Sequence, residues 1–407
     1  MKVLQLCHKP PIPAIDGGCI AINNLTKGLL EDGHEVKVLC ASTHKHPFKE
    51  HLIPEEYKKN TGIEAIFVDT KMNFVDAFSN LITRDAYNVS RFFSTDLDIA
   101  LEKNLRDKDF DIVQLESLFM TPYIDTIRRF SKAKIILRSH NLEYKIYQRM
   151  ALLSATGPKK AYLNILANRL KVYELAILDK VDGIATISPE HTRNLEQFDC
   201  QTSIQTIPFG VDTSEYAVER PYHFKPTLFH LGAMDRMPNV EGMDWFLKEA
   251  WPNILNEFPQ FSLHLAGKES RSYNIAASHK NIALDGEVSS AKKYMLSKGI
   301  MIVPLLSGGG IRIKIIEGMA LGKVVITTSI GAKGIDVTHG KNILIADTGE
   351  EFVQRIREIH EKPELLENIS TNARLFIEQN YANSVVTRDL VKFYENCLKY
   401  KVNDPVS

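Results

Sequence analysis

The feature that most limits what this chain can fold into is a rhythm of short apolar runs separated by stretches of helical spacing, broken once near the middle. "KVLQLC" (Lys2 to Cys7) reads as a buried strand, "CIAINNLTKGLLEDG" as an amphipathic helix closed by Gly33, and "HEVKVLCA" as the next strand. "IEAIFV", "DIVQLES", "KIILRSH" and "GIATIS" continue the pattern, which predicts a parallel sheet with helices outside. From Ile204 to Pro226 turn formers interrupt it. A second series then runs through "TLFHLGA", "FSLHLAG", "IALDGEV", "GIMIVPL", "KVVITT" and "NILIA", with "GMDWFLKEAWPNILNEF" as a helix between strands. The expected architecture is therefore α/β, with two doubly wound domains facing each other across a cleft that their strand ends line. The expected domains are residues 1–205 and 206–381, and the last helical stretch, about 382–407, packs back on the first. A length of 407 residues agrees with two domains at roughly 150 residues each.

Fifty basic residues balance fifty acidic ones, so no global field favours nucleic acid, and no nucleic-acid partner is expected. Between Arg128 and Lys171, however, eleven Lys or Arg face the single acid Glu143. This excess has two readings: solvated helix faces balanced elsewhere in the fold, or a patch facing anionic lipid or a lipid-linked pyrophosphate. Five scattered cysteines without CxxC spacing argue for a reducing compartment and against a zinc site. "DFD" (Asp109 to Asp111) leads into a strand, "DLD" (Asp96 to Asp98) lies in a helical stretch, and "HKH" (His44 to His46) lacks a third ligand, so no metal is expected. The N-terminal apolar run is too short for a signal peptide, and no apolar stretch approaches the ~20 residues of a membrane span. These features lead to the expectation of a cytoplasmic protein, with the inner face of the cytoplasmic membrane as an alternative place.

The first strand is not followed by G-x-G-x-x-G, which removes the dinucleotide reading. Gly17 and Gly18 instead open the first helix, where they serve either the approach of an anion or simply a turn. "SGGGIRIKIIEG" (Ser307 to Gly318) is more telling. A helix beginning near Gly310 places Gly310, Lys314 and Glu317 on one face, with Ile311, Ile315 and Met319 on a neighbouring stripe. Uncovered first-turn amides, with Arg312 and Lys314 beside them, suit a diphosphate, and Glu317 suits a pair of adjacent hydroxyls. The competing reading, a Lys314 to Glu317 surface pair, contributes only ~0.5 kcal/mol and fits poorly with the apolar residues around it.

The segment Pro304 to Ile335 resembles the donor-binding region of retaining glycosyltransferases of family 4, which have the GT-B fold of two Rossmann-like domains. "PPIPAIDGGCIAINNLTKGLLEDGHEVKVL", "RSHNLEY", "TISPEHTRNL", "IPFGVD" and "LGAMDRMPNVEGMDWFL" extend the resemblance over nearly the whole chain. It implies Glu317 on the nucleotide ribose, Arg312 and Lys314 at the diphosphate, and His140 near the donor sugar or the reacting oxygens. His140, Glu317 and Lys314 thereby become the expected catalytic residues. Gly232, Arg236, Glu287, Val288, Gly309, Gly310 and Ile311 are the further donor-binding positions, together with Gly17 and Gly18. No cofactor beyond the nucleotide-sugar donor is implied, and the acceptor would be a saccharide or a lipid-linked carrier. The chain departs from the family where many members carry a second glutamate and it has Gly309, and where a lysine usual after the loop arginine has no counterpart after Arg236. The alternatives are a nucleotide-sugar epimerase or hydrolase on the same fold, or a catalytically silent nucleotide-sugar-binding protein, which the missing acid at Gly309 keeps open.

Overall fold

Apolar runs without alternation fold as parallel strands covered on both faces. β1 (Lys2–Cys7) follows this rule, with every residue after Lys2 buried. The computed structural model describes residues 1–71, 87–154, 156–198, 200–214, 216, 225–273, 279–308 and 311–399. It divides into two compact units, Met1–Gly210 with Asn383–Ser407, and Val211–Ala382.

In the first unit β1, β2 (Glu35–Ser42), β3 (Glu64–Phe67), β4 (Ile112–Glu116), β5 (Lys134–Ser139), β6 (Gly183–Thr186) and β7 (Ser203–Thr206) form one parallel sheet in the order β3-β2-β1-β4-β5-β6-β7. The second unit pairs β8 (Thr227–Leu231), β9 (Ser262–Ala266), β10 (Ile282–Gly286), β11 (Ile300–Val303), β12 (Val325–Thr327) and β13 (Leu344–Ile345) in the order β10-β9-β8-β11-β12-β13, again parallel. Each sheet starts at an inner strand, grows to one side and then returns to the other. The strand order therefore reverses beside β1 and β4 in one sheet and beside β8 and β11 in the other, where loops diverge and leave a crevice.

The helices that frame these crevices or their supports are α1 (Gly17–Glu31), α2 (Glu143–Leu153), α3 (Pro158–Leu178), α4 (Met237–Glu249), α5 (Trp251–Glu257), α6 (Ile313–Ala320) and α7 (Asn383–Lys399). Although last in sequence, α7 belongs to the core of the first unit: Leu390, Phe393, Tyr394 and Cys397 are buried in one cluster with Val3, Ile112, Ile136 and Ala185. Burying each such large apolar side chain is worth roughly 1.5–3 kcal/mol. The fit is close enough that a Cβ on Gly183 of β6 would come within 2.7 Å of Cys397 Sγ.

Three local expectations need correction. β7 lies where turn formers suggested an interruption; it is a short sheet-edge strand, half-buried along most of its length. The single helix expected over "GMDWFLKEAWPNILNEF" is two, because Pro252 has no N–H to carry the ladder onward and Ala250 forms the joint between α4 and α5. The helix expected from about Gly310 begins at Ile313, with Arg312 outside it as the N-cap residue.

Candidate functional site

In the second unit the crevice beside β8 and β11 is bordered by the loops that leave those strands. Arg312, at the mouth of α6, has no side-chain cap of its own to offer, and the first turn holds no acid. The opening amides of α6 are thus left without the side-chain acceptor that usually covers them. Gly308 adopts φ +110°, and a Cβ there would lie 2.7 Å from a guanidinium nitrogen of Arg312. Only glycine combines that backbone with so close a side chain.

In the first turn of α6 is Lys314, half-buried, whose Nζ donates to Asn239 Oδ1 at 2.9 Å and lies 3.3 Å from His230 Nε2. His230, near the end of β8, is 1% exposed and contacts the Ile302 carbonyl through Nδ1 at 3.0 Å. Asn239 in α4 donates to the Ala233 carbonyl at 2.8 Å, which fixes its amide. Gly232 follows β8, and a Cβ on it would fall 2.9 Å from Lys314 Nζ and 2.8 Å from His230 Nε2, so the ammonium occupies the space that a side chain would need. Burial, with the Arg312 charge beside it, pushes the Lys314 amine down to about 7. His230 is driven well below the usual imidazole range by burial and then by Lys314.

Glu317, also half-buried, accepts a hydrogen bond from the Tyr216 hydroxyl at 3.0 Å. Burial raises its carboxyl and the tyrosine partly offsets this. No ion pair joins Glu317 to Lys314 among the described residues, and the surface-pair reading fails on that ground and on burial. The other expected positions lie around the same strand ends. Ile311 is 9% exposed, Arg236 precedes α4 with its side chain exposed and 3.8 Å from Asp235, and Glu287 (exposed) and Val288 (half-buried) follow β10. Gly309 and Gly310 lie outside the described residues.

In the first unit His140 follows β5, and its Nε2 lies 2.9 Å from Glu116 Oε2, the buried carboxylate that ends β4. Gln114 Nε2 donates to the other oxygen of Glu116, Tyr394 of α7 donates to Gln114, and His8 Nδ1 contacts the Glu116 carbonyl at 2.7 Å. Ser117, next in the chain, holds φ +98°, a strained value for a residue with a Cβ. Arg138 is fully buried and donates to the carbonyls of Ile207 and Pro208 at 2.7 and 2.9 Å. Gly17 and Gly18 begin α1, but the N-terminus there is occupied from within: Asp16 accepts from Cys19 N and binds Lys9 Nζ at 2.6 Å, with His46 at 3.2 Å. Burial works against the Asp16 carboxylate, yet Lys9 holds it well below the usual range. Gly18 leaves room for Lys9, whose Nζ would be 2.6 Å from a Cβ.

Sequence reasoning passed over Glu116, His230, Asn239 and Lys9. Two of them carried a signal, a polar residue set in an otherwise apolar strand: Glu116 closing "IVQLE" and His230 inside "TLFHL". Part of the basic excess is settled within the first unit. Arg128 and Lys134 pair with Asp182 at 2.8 and 3.2 Å, Arg138 is buried, and Lys171 lies over the rings of Tyr144 and Phe198. Among the described residues no group of three or more His, Cys, Asp or Glu is arranged as a metal site, and no helix is long and apolar enough to cross a membrane.

Comparison with known proteins gives the family and the fold. Residues 15–215 match the model for Glycosyltransferase Family 4, and residues 225–362 match that for Glycosyl transferases group 1. An uncharacterised 44.6 kDa protein of the cps region of Klebsiella pneumoniae is 23% identical, over 96% of this chain and 99% of its own. Sucrose-phosphate synthase from Thermosynechococcus elongatus superposes with a TM-score of 0.69 at 14% identity, covering 97% of this chain and 99% of its own. Anabaena HepE, solved with UDP and glucose, does so with a TM-score of 0.66 at 12% identity, over 97% and 99%. With both halves matched by glycosyltransferase models and both sheets Rossmann-like, the chain belongs to the glycosyltransferases of the GT-B fold.

Proposed function

We propose that this protein transfers a sugar from a nucleotide-sugar donor to a saccharide or lipid-linked acceptor, with retention of configuration and without a metal. The observation that carries the reading is the grouping in one crevice of Arg312, Lys314, the uncapped start of α6 and, one turn on, Glu317. Departure of the nucleoside diphosphate builds negative charge on its phosphate. Arg312, Lys314 and the helix amides are the groups that would stabilise this charge more in the transition state than in the ground state. The same cations take the part that a metal would otherwise play. Glu317, already accepting from Tyr216, has a second oxygen to offer a ribose hydroxyl. Retention is inferred from the family resemblance, with the leaving phosphate accepting the acceptor's proton on the same face.

His140 is assigned to the sugar and acceptor side, held by Glu116. A UDP donor is the first to try, because the Anabaena neighbour was solved with UDP and glucose. For a lipid-linked acceptor or a peripheral membrane contact, the support is the exposure of Leu152 in α2 (76%) and of Val172 in α3 (71%), with exposed Lys145 and Lys159 on the same two helices. Flotation with anionic vesicles tests that part, and no lipid dependence would remove it. The main test is a thermal-shift screen of nucleoside diphosphates and nucleotide sugars, followed by turnover with and without acceptors. One donor should stabilise the fold strongly and be consumed only when an acceptor is added. Consumption without acceptor would replace the transferase by a hydrolase or epimerase, and tight binding without turnover across many acceptors would indicate a silent binding protein.

A further inference from the structure

Among the described residues the side chains that hold Lys314 are neutral, His230 and Asn239. A backbone carbonyl can only accept, so the contact from His230 Nδ1 to Ile302 places the ring proton on Nδ1 and leaves Nε2 as a bare acceptor 3.3 Å from the ammonium. The Asn239 amide, tied through Nδ2 to Ala233, turns its oxygen to the same ammonium. The titratable or charged groups that face Lys314 are His230 from β8 and Arg312 at the mouth of α6. Helix α4 contributes only the uncharged Asn239, and Glu317 on the lysine's own helix is engaged with Tyr216. Among the described residues the cation thus has directional support but no counter-charge.

Building on the donor-site reading above, we propose that His230 and Asn239 are positioning residues that aim Lys314 at the donor's diphosphate while leaving its charge uncompensated, so that the anion and a proton bind together. The pH range follows from the lysine's environment. Burial and Arg312 bring the free amine to about 7, so above that pH the empty site loses its charge progressively. A bound diphosphate restores the ammonium, and affinity must therefore fall as pH rises through that range.

The test is calorimetric titration of the full chain with UDP, GDP, ADP, CDP and dTDP at pH 7.5 and 9, in buffers of different ionisation enthalpy. The wild type should take up a proton on binding, with Kd roughly twentyfold weaker at pH 9 for an amine of about 7. Asn239→Asp gives the lysine a permanent counter-ion, and Lys314→Arg replaces it with a group that does not titrate. Both variants should lose the proton uptake and flatten the profile, and thermal unfolding establishes that each is folded. A purely structural role for Asn239 would not move the pH dependence. A flat wild-type profile without proton uptake overturns the inference and leaves the donor-site reading standing. Uptake that persists in both variants also overturns it, and no binding of any of the five at either pH overturns the inference together with that reading.

Discussion

The two crevices occupy equivalent places in their sheets but settle their charges in opposite ways. Beside β1 and β4 the titratable groups find partners inside the fold: Lys9 on Asp16, His140 on Glu116, and Arg138 facing the same Glu116 carboxylate. Beside β8 and β11, Lys314 rests on neutral acceptors with a second cation near it. A fold that buries charge ordinarily pairs it. On the donor-site reading proposed above, the missing partner comes from outside, and the difference separates a self-compensated platform from a site that waits for an anion.

The comparison is broken most decisively by removing charge from the second crevice. Lys314→Ala and Glu317→Ala are each expected to lower transfer about 10²–10³-fold, the scale seen when one preorganised charge-stabilising group is lost. Circular dichroism should find both variants folded, and near-normal turnover in both would sink the assignment. In the first crevice His140→Ala should lower kcat by about tenfold to a hundredfold while leaving nucleoside-diphosphate Kd unchanged, which steady-state kinetics and calorimetry separate. Gly232→Ala puts a methyl 2.9 Å from Lys314 Nζ and should weaken diphosphate binding by about tenfold, which calorimetry would read.

The last expected effect concerns stability and not transfer. His191, 6% exposed and 3.3 Å from Ser139 Oγ, is held at about 4 by burial, then by the nearby His140 and Lys145. Its folded pKa lies below the unfolded value, so the unfolded chain binds the proton first. Its contribution is complete above about 6.5 and is lost as pH falls toward 4, at about 1 kcal/mol per pH unit. Denaturant unfolding of His191→Gln against the wild type over that range should show the wild type losing its advantage on acidification.

What was legible in the sequence tracks how local the causes are. β11 is written as an unbroken apolar run, and β1 and β4 as apolar runs with a single glutamine inside each, a pattern that burial on both faces imposes. β7 was missed because a short, half-buried edge strand beside Pro208 and Gly210 carries little periodicity. The start of α6 was placed three residues early because spacing aligns charges without reporting where the backbone turns, and Arg312 sits at φ −90°, ψ 86°. The residue types of the second crevice could be read, but their supports could not: His230 meets Lys314 across 84 positions and Asn239 meets it across 75, pairings that only the sheet order creates.

The placement of α7 also sets an order of events during synthesis. The sheet of the first unit is finished when Thr206 emerges, yet Leu390, Phe393 and Tyr394, which cover it, follow only after residues 211–382 have been made. At about 5–20 residues per second this leaves part of one side of the sheet uncovered for roughly 10–40 s, while the second unit already has everything it needs to fold. The nascent chain therefore completes its later half first. A chain stopped at Ala382 should be cleaved by protease in residues 1–210 while residues 211–382 resist.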